Sequence, residues 1–485
     1  MLKTSIHGVW SSRFLFILAT VGAAVGLGNI WKFPYLTGEY GGSAFVLVYL
    51  VCIFFIGMPI MMAEIMLGRR GRQSPANTMY TLAIEAGENS RWKYVGWMAM
   101  IAGLLILSYY SVIAGEVMAY IFRAASGTFT HQTSSGIRSI YSDFVSNPES
   151  LLAWHTVFIV ATMIVVARGV HDGLEKTLRI VMPLFFILLL ILVGYGVQSK
   201  GFGEAMDFLF HPDFSKLIYV TNESGLREWT AKPILVAMGH SFFTLSLGMG
   251  AIMAYGAYLG REVSIAHASL AIVLIDTVVS ILAGLAIFPI VFANQLDPAS
   301  GPGLIFQTLP LAFGGMSGGV FFGSLFFILL FLAAWSSAVA LVEPTVAWMV
   351  ESRRMTRVKA AVWIGVIVWL LGIASIFSAT GTTLRDSLLV LLNAVGFETI
   401  GLRQKFFSLT FFEVIDFVTA NIMLPLGGLL VAVFVGWVMH RESVRAEINV
   451  RHGDLCTLWM SVLKYVSPLA VLLIFMSTIG LLNKL

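Results

Sequence analysis

Eleven stretches of this 485-residue chain are long and apolar enough to cross a bilayer, at roughly 14–36, 42–68, 95–123, 152–168, 174–197, 232–258, 265–293, 319–350, 357–377, 413–439 and 457–483. With 58% hydrophobic and 12% charged residues and a mean hydropathy of +0.87, little chain is left for a soluble domain. In lipid the backbone must satisfy its own polar groups, so spans of this length predict an all-α integral membrane protein.

An odd number of spans puts the termini on opposite sides. With the N-terminus in the cytoplasm, the inner connections collect Lys3, Arg13, Arg69, Arg70, Arg72, Arg91, Lys93, Arg168, Lys176, Arg179, Arg261, Arg353, Arg354, Arg357, Lys359, Arg441, Arg445 and Arg451. The remaining basic residues are spread mostly through the longer outer loops 124–151, 198–231, 294–318 and 378–412. This bias predicts a plasma-membrane protein with a cytoplasmic N-terminus and an extracytoplasmic C-terminus. The net charge of +4 reflects that topology and not a nucleic-acid partner, since no basic patch interleaved with aromatics occurs. Cys52 lies in a span and Cys456 beside an inner loop, which leaves no external disulfide. The first apolar stretch carries a motif of its own and is not expected to be a cleaved signal. Within the last outer loop, Asp386–Phe397 reads as a short interfacial helix.

Two of the spans are interrupted. GAAVGLGNIWKFP, Gly22–Pro34, places glycines and an asparagine inside the first, and FFTLSLGMGA, Phe242–Ala251, does the same in the sixth. A helix broken at membrane depth exposes carbonyls and amides, which is tolerable only where they line a protected cavity or bind something. One break in each half is the pattern of a secondary transporter with its site at the midplane. Spans one to five and six to ten then form two inverted repeats, about 14–197 and 232–439, inside a ten-helix core of residues 1–456; an eleventh helix follows in 457–485.

An ionisable group inside a membrane costs roughly 2.5–3.5 kcal/mol on insertion scales, so each one needs a reason. The acids at issue are Glu64, Asp276, Glu343 and Asp416, and the base is Lys32. Glu64 and Glu343 read first as structural partners, Glu64 for backbone groups freed by the breaks. Asp276 stands mid-span with Ser280 one turn away, where a cation would offset its desolvation. Half-helix N-termini suit a carboxylate, while half-helix C-termini and unwound carbonyls suit Na⁺, so substrate and cation can share one site.

These residues resemble the neurotransmitter:sodium symporters with the LeuT-like fold. The resemblance rests on GAAVGLGNIWKFP, EYGGSAF, GMPIMMAEIMLGRRG, SYY at Ser108–Tyr110, FFTLSLGMG and AAWSSA at Ala333–Ala338, in family order over nearly the whole chain. It implies one sodium site from Ala24, Asn29, Thr244 and Asp276 plus the substrate carboxylate, and a second from Gly22, Val25, Ala333, Ser336 and Ser337. Oxygen donors of this kind are what a hard cation takes. It further implies a substrate chamber of Ala24, Gly28, Ile106, Tyr110, Phe243, Thr244, Ser246, Met249 and Leu341, with Ala23 near the backbone end and Tyr110 bonding the carboxylate. Gly26 stands where amine-carrying relatives have an aspartate, so the substrate must supply its own carboxylate, as an amino acid does. Met249 replaces a more usual phenylalanine and gives an adaptable wall, favouring hydrophobic or aromatic amino acids.

Three departures from the family pattern carry expectations. Chloride-dependent relatives have a neutral asparagine where Asp276 stands, and some chloride-independent ones carry glutamate where this chain has Ser280. With the compensating carboxylate moved to Asp276, transport is expected to be chloride-independent. Lys32 replaces the usual arginine of an outer gate opposite Asp416 and lacks its bidentate fork. His7 takes the usual arginine's place in an inner gate with Glu351, a position where a histidine is suited to sense pH. Gly173 and Pro183 mark a weak start of the fifth span, suited to local unwinding.

The resulting expectation is two-sodium symport of an amino acid into the cell by alternating access, with Na⁺, the amino acid and the bilayer as partners. The rivals are a proton-coupled carrier in which Asp276 titrates, and a transport-inactive amino-acid sensor. No nucleophile or metal motif argues for an enzyme; GMSGG at Gly315–Gly319 follows no strand and sits between spans.

Overall fold

Helix occupies every one of the eleven apolar stretches in a computed structural model that describes residues 5–221, 227–299, 301, 303–379, 410–448 and 453–478. Among these residues nine spans are continuous: Ser43–Gly71, Ser90–Ala125, Pro148–Ala167, Val170–Val197, Ile265–Ala293, Gly319–Arg353, Arg357–Ser378, Phe411–Val438 and Cys456–Met476. The interfacial helix expected at Asp386–Phe397 and the chain's last residues lie outside the described residues.

The two interrupted stretches stand apart from these nine: the first is a bent pair of helices that makes a tenth span if both halves cross together, and the sixth is two shorter helices. The first runs from Arg13 to Ala24, its start capped by the Ser12 hydroxyl accepting from the Leu15 amide, and resumes at Gly28–Glu39 with a bend of 52°. At Val25 the backbone leaves the helical region for ψ 108°, which ends the first half and frees its carbonyls. The sixth runs Lys232–Thr244 and Ala251–Ala257, separated by Leu245–Gly250. That connection is left-handed at Ser246, Gly248 and Gly250, conformations glycine adopts freely and serine does not.

Small residues let the broken halves approach their neighbours. A Cβ on Gly68 would lie 1.9 Å from the Met253 carbonyl oxygen, and one on Gly256 would lie 2.7 Å from that of Ile65. The second span and the second half of the sixth therefore touch backbone to backbone, the small-residue packing of membrane helices. The fifth span begins with a wide π-type turn, Val170–Glu175, and carries Pro183 inside it. A short antiparallel hairpin precedes the sixth span, pairing Tyr219–Thr221 with Arg227–Trp229 and setting Tyr219 opposite Trp229.

The segment before the first span is tied down through two adjacent residues, Trp10 and Ser11. Trp10 donates its amide to the Tyr258 carbonyl at 2.9 Å and its indole N–H to the Tyr255 carbonyl at 3.0 Å. Ser11 gives its amide and hydroxyl to the two carboxylate oxygens of Glu175, at 2.8 and 2.6 Å.

Candidate functional site

The two breaks meet at the centre of the molecule, and two groups of polar atoms converge on them. The first surrounds Asp276, which is fully buried on the seventh span. Asn29, from the resumed half of the first span, donates its Nδ2 to Asp276 Oδ1 at 2.8 Å, to the Asp276 carbonyl at 3.3 Å and to Ser280 Oγ at 2.9 Å. Its Oδ1 accepts from the Gly26 amide at 3.0 Å. Thr244, the last residue of the sixth span's first half, donates to both carboxylate oxygens at 3.2 Å, and Tyr49 of the second span donates to Oδ2 at 3.3 Å. The carboxylate is thus held by neutral donors, with no Lys or Arg partner among the described residues.

The second group gathers at the end of the first half-helix. Ser337 of the eighth span donates to the Val25 carbonyl at 3.1 Å and lies 3.3 Å from that of Gly22. Ser336 turns its hydroxyl to the Ala333 carbonyl in its own helix at 3.1 Å. It still packs on Gly22, where an added Cβ would be 3.4 Å from Ser336 Cβ. These are carbonyl and hydroxyl oxygens at the negative end of a half-helix, a fit for an alkali cation. No group of three or more His, Cys, Asp or Glu side chains of the sort that holds a transition metal occurs among the described residues.

Between these two groups lies a cavity of about 30 Å³. Of the residues expected there, Ala23, Ala24, Gly28, Ile106, Tyr110, Phe243, Ser246, Met249 and Leu341 all line it. Thr244 does not; its hydroxyl is committed to Asp276. Leu27 and Ser337 line it unexpectedly, so Ser337 faces the cavity and the second oxygen group at once. Tyr110 points its hydroxyl at the Leu27 amide from 3.4 Å, and Ser246 straps the breaks together by donating to the Ala23 carbonyl at 2.8 Å.

Supporting acids stand just outside. Glu64 accepts from the Gly248 amide at 2.7 Å, satisfying a donor that the sixth-span break leaves over. Glu343 accepts from the Tyr258 hydroxyl at 2.7 Å and from the Arg357 guanidinium, a structural cluster.

Of the two expected gates, the structure pairs one. His7 Nε2 lies 3.0 Å from Glu351 Oε1, and both side chains are nearly buried. Glu351 also accepts from the Ser74 amide and hydroxyl and from Asn77 Nδ2, between 2.6 and 3.0 Å. Lys32 and Asp416, by contrast, form no ion pair. The Lys32 ammonium sits 4.5 Å from the Phe243 ring centroid, and Asp416 accepts from the Tyr109 hydroxyl at 3.1 Å. A compact ammonium without a planar fork loses little by resting on an aromatic face, which leaves the carboxylate to the phenol.

Tyr49 and Tyr109 bond the acids Asp276 and Asp416, roles that the sequence reading did not assign to either. Each is a tyrosine in an apolar span, indistinguishable by pattern from core. The only available signal is that a buried phenol usually has a partner, and an unpaired acid elsewhere supplies one.

Comparison with known proteins adds independent observations. The model of the sodium:neurotransmitter symporter family matches residues 7–137 and 142–395. A sodium-dependent transporter of Bacillus subtilis, YhdH, is 33% identical over 478 residues, covering 98% of each chain. The sodium-dependent neutral amino acid transporter B(0)AT2 of Pongo abelii is 25% identical over 58% of this chain and 40% of its own length. The crystal structure of MhsT in complex with L-phenylalanine superposes with a TM-score of 0.82 at 39% identity, over 97% of this chain and 99% of the other.

Proposed function

This chain belongs to the sodium:neurotransmitter symporter family, a sodium-dependent multi-pass membrane transporter and not an enzyme, and we propose that it carries a hydrophobic or aromatic amino acid into the cell, two Na⁺ per substrate, without a requirement for chloride. One observation carries the reading: a cavity at two helix breaks, flanked on one side by Asp276, Asn29 and Thr244 and on the other by Ser337 with the Gly22 and Val25 carbonyls.

The chemistry follows from these groups. Asp276 compensates a sodium ion in the first set, which the substrate's own carboxylate completes, and neutral oxygens solvate another in the second. Tyr110 and the amides at the first break receive the substrate carboxylate. Ile106, Phe243, Met249 and Leu341 enclose an apolar side chain, Met249 adapting to its shape. The L-phenylalanine in complex with MhsT is an amino acid of the size this wall suits.

Two ions give ample driving force. Each contributes about 2.3 kcal/mol per 100 mV and about 1.4 kcal/mol per tenfold gradient. Together they amount to about 7.4 kcal/mol, enough for roughly 10⁵-fold accumulation, against a few hundred-fold for one ion. Alternating access is read as release of the His7–Glu351 contact together with opening of the wide turn at Val170–Glu175.

Uptake of labelled tryptophan, tyrosine, phenylalanine, leucine and glycine into proteoliposomes tests this, with an inward Na⁺ gradient and then with K⁺ in its place. Sodium-dependent uptake of the bulky substrates in preference to glycine is expected. Uptake driven by a pH gradient without sodium would instead make this a proton-coupled carrier, and sodium-independent binding without any uptake would make it a sensor.

A further inference from the structure

Where the tenth and eleventh spans come together, at the membrane surface that also holds Arg69 and Arg70, lies a basic cavity of about 170 Å³. Arg441, Arg445, Met460, Ser461, Lys464 and Tyr465 line it. Arg441 and Arg445 are one turn apart on the short helix Arg441–Ile448 and so share a face. Lys464 comes from the eleventh span, its ammonium 4.0 Å from the Trp437 ring centroid and 5.7 Å from that of Tyr465. The Trp437 indole donates to the Lys464 carbonyl at 3.3 Å, which fixes the two spans to each other at this level.

Among the described residues, no carboxylate compensates the cavity's positive charge. Among the described residues, Arg441, Arg445 and Lys464 form no ion pair, whereas Glu447 on the same short helix faces away and is taken by Arg69 at 3.0 Å and Arg70 at 3.9 Å. Glu442 is exposed and outside the lining. Three cations facing one cavity repel each other unless an anion joins them.

What surrounds the cavity selects the anion. Below it run Tyr465, Leu469 and Leu472 at helical spacing, 60%, 59% and 50% exposed, beside Trp437 at 57%. That is a lipid-facing apolar strip topped by the Trp and Tyr that mark headgroup depth. A free phosphate would engage the cations and leave the strip bare; a molecule with a phosphodiester above two acyl chains covers both. We propose that this cavity is a binding site for an anionic glycerophospholipid, its phosphodiester held by Arg441, Arg445 and Lys464 and its chains laid along the 465–469–472 face. The lipid joins the eleventh span to the ten-helix core at that surface.

The test is native mass spectrometry of the full chain in a neutral detergent, titrated with phosphatidylglycerol, phosphatidylcholine or glycerol phosphate. Phosphatidylglycerol is expected to bind at least about tenfold more tightly than phosphatidylcholine. Each neutralised cation weakens it about fivefold, and the triple variant Arg441→Gln/Arg445→Gln/Lys464→Gln about a hundredfold. Arg441→Lys/Arg445→Lys keeps the charge and should stay within about threefold of the parent, as should Arg353→Gln/Arg354→Gln, which removes charge from another loop. Should the triple variant not fold, Lys464→Gln alone carries the comparison through its fivefold step. Equal binding of the two lipids, an unchanged triple variant, or displacement of the lipid by equimolar glycerol phosphate would overturn the assignment, the last by making this a site for free phosphate.

Discussion

Ser246 donates its hydroxyl to the carbonyl of Ala23 at 2.8 Å, and it does so from a left-handed backbone that a serine seldom adopts. The strain, of order 1–3 kcal/mol, is retained because the bond joins the two helix breaks across the cavity. Ser246→Ala keeps the strain and loses the strap, leaving a buried carbonyl without its donor. Substrate affinity in sodium-driven uptake is expected to fall about tenfold, from the roughly 1–2 kcal/mol such a bond is worth. Ser246→Gly relieves the backbone but not the lost bond, so it should recover thermal stability and not affinity. An unaltered substrate KM in both variants would contradict the strap.

Asp276 is the only acid in the first oxygen set, so Asp276→Asn removes the charge while keeping the shape. The sodium concentration for half-maximal uptake should rise at least about tenfold, and chloride should now stimulate transport, because an external anion replaces the missing charge near Ser280. The parent should transport equally well in chloride and in gluconate. Parent uptake that collapses in gluconate would show that Asp276 does not compensate the cation alone.

Gly68→Ala puts a methyl group against the Met253 carbonyl, where only 1.9 Å is available. Neither backbone can give way without moving a span, so a loss of about 1–3 kcal/mol or more is expected. A lowered midpoint in thermal unfolding of the detergent-solubilised protein checks it. Ala63→Gly, on the same span, provides the opposite change and should not reproduce the effect through the same contact.

Glu351 gathers four donors, from His7, Ser74 and Asn77, around one carboxylate. Glu351→Ala removes these bonds, leaving Asn77 only its contact with Ser352 Oγ, and should loosen the segment that Trp10 anchors. Amide hydrogen exchange over residues 10–16 should speed up at least about tenfold, reflecting the roughly 1.5–3 kcal/mol of charged hydrogen bonding removed. Exchange at the parent rate would mean that the Trp10 and Ser11 bonds hold the segment without the gate.

Some of this was legible before any coordinates, and the reasons are physical. Asp276 and Asn29 stand out because polar groups at membrane depth are expensive, and the breaks stand out because glycine clusters inside apolar runs are hard to explain otherwise. The small residues Ala24, Gly28 and Ser246 became interpretable only through motif resemblance, since alone they read as packing. Tyr49 and Tyr109 were hidden because a tyrosine presents the same pattern whether its hydroxyl is used or not. The Lys32–Asp416 pair was expected from the family's outer gate, and a matched motif position does not say that Phe243 and Tyr109 lie closer to hand. The hairpin at Tyr219–Thr221 and Arg227–Trp229 is too short to leave a periodic signal.

Ser337 faces the cavity on one side and the Gly22 and Val25 carbonyls on the other. A hydroxyl has a single hydrogen, so whatever enters the cavity and whatever occupies the second oxygen set both influence where that hydrogen points. A guest that draws it inward frees the carbonyls for a cation, and a cation that claims the lone pairs turns the hydrogen toward the guest. In the proposed two-ion symport, cargo and ion report on each other through this one rotor, which would guard against slippage, in which ions cross without doing work.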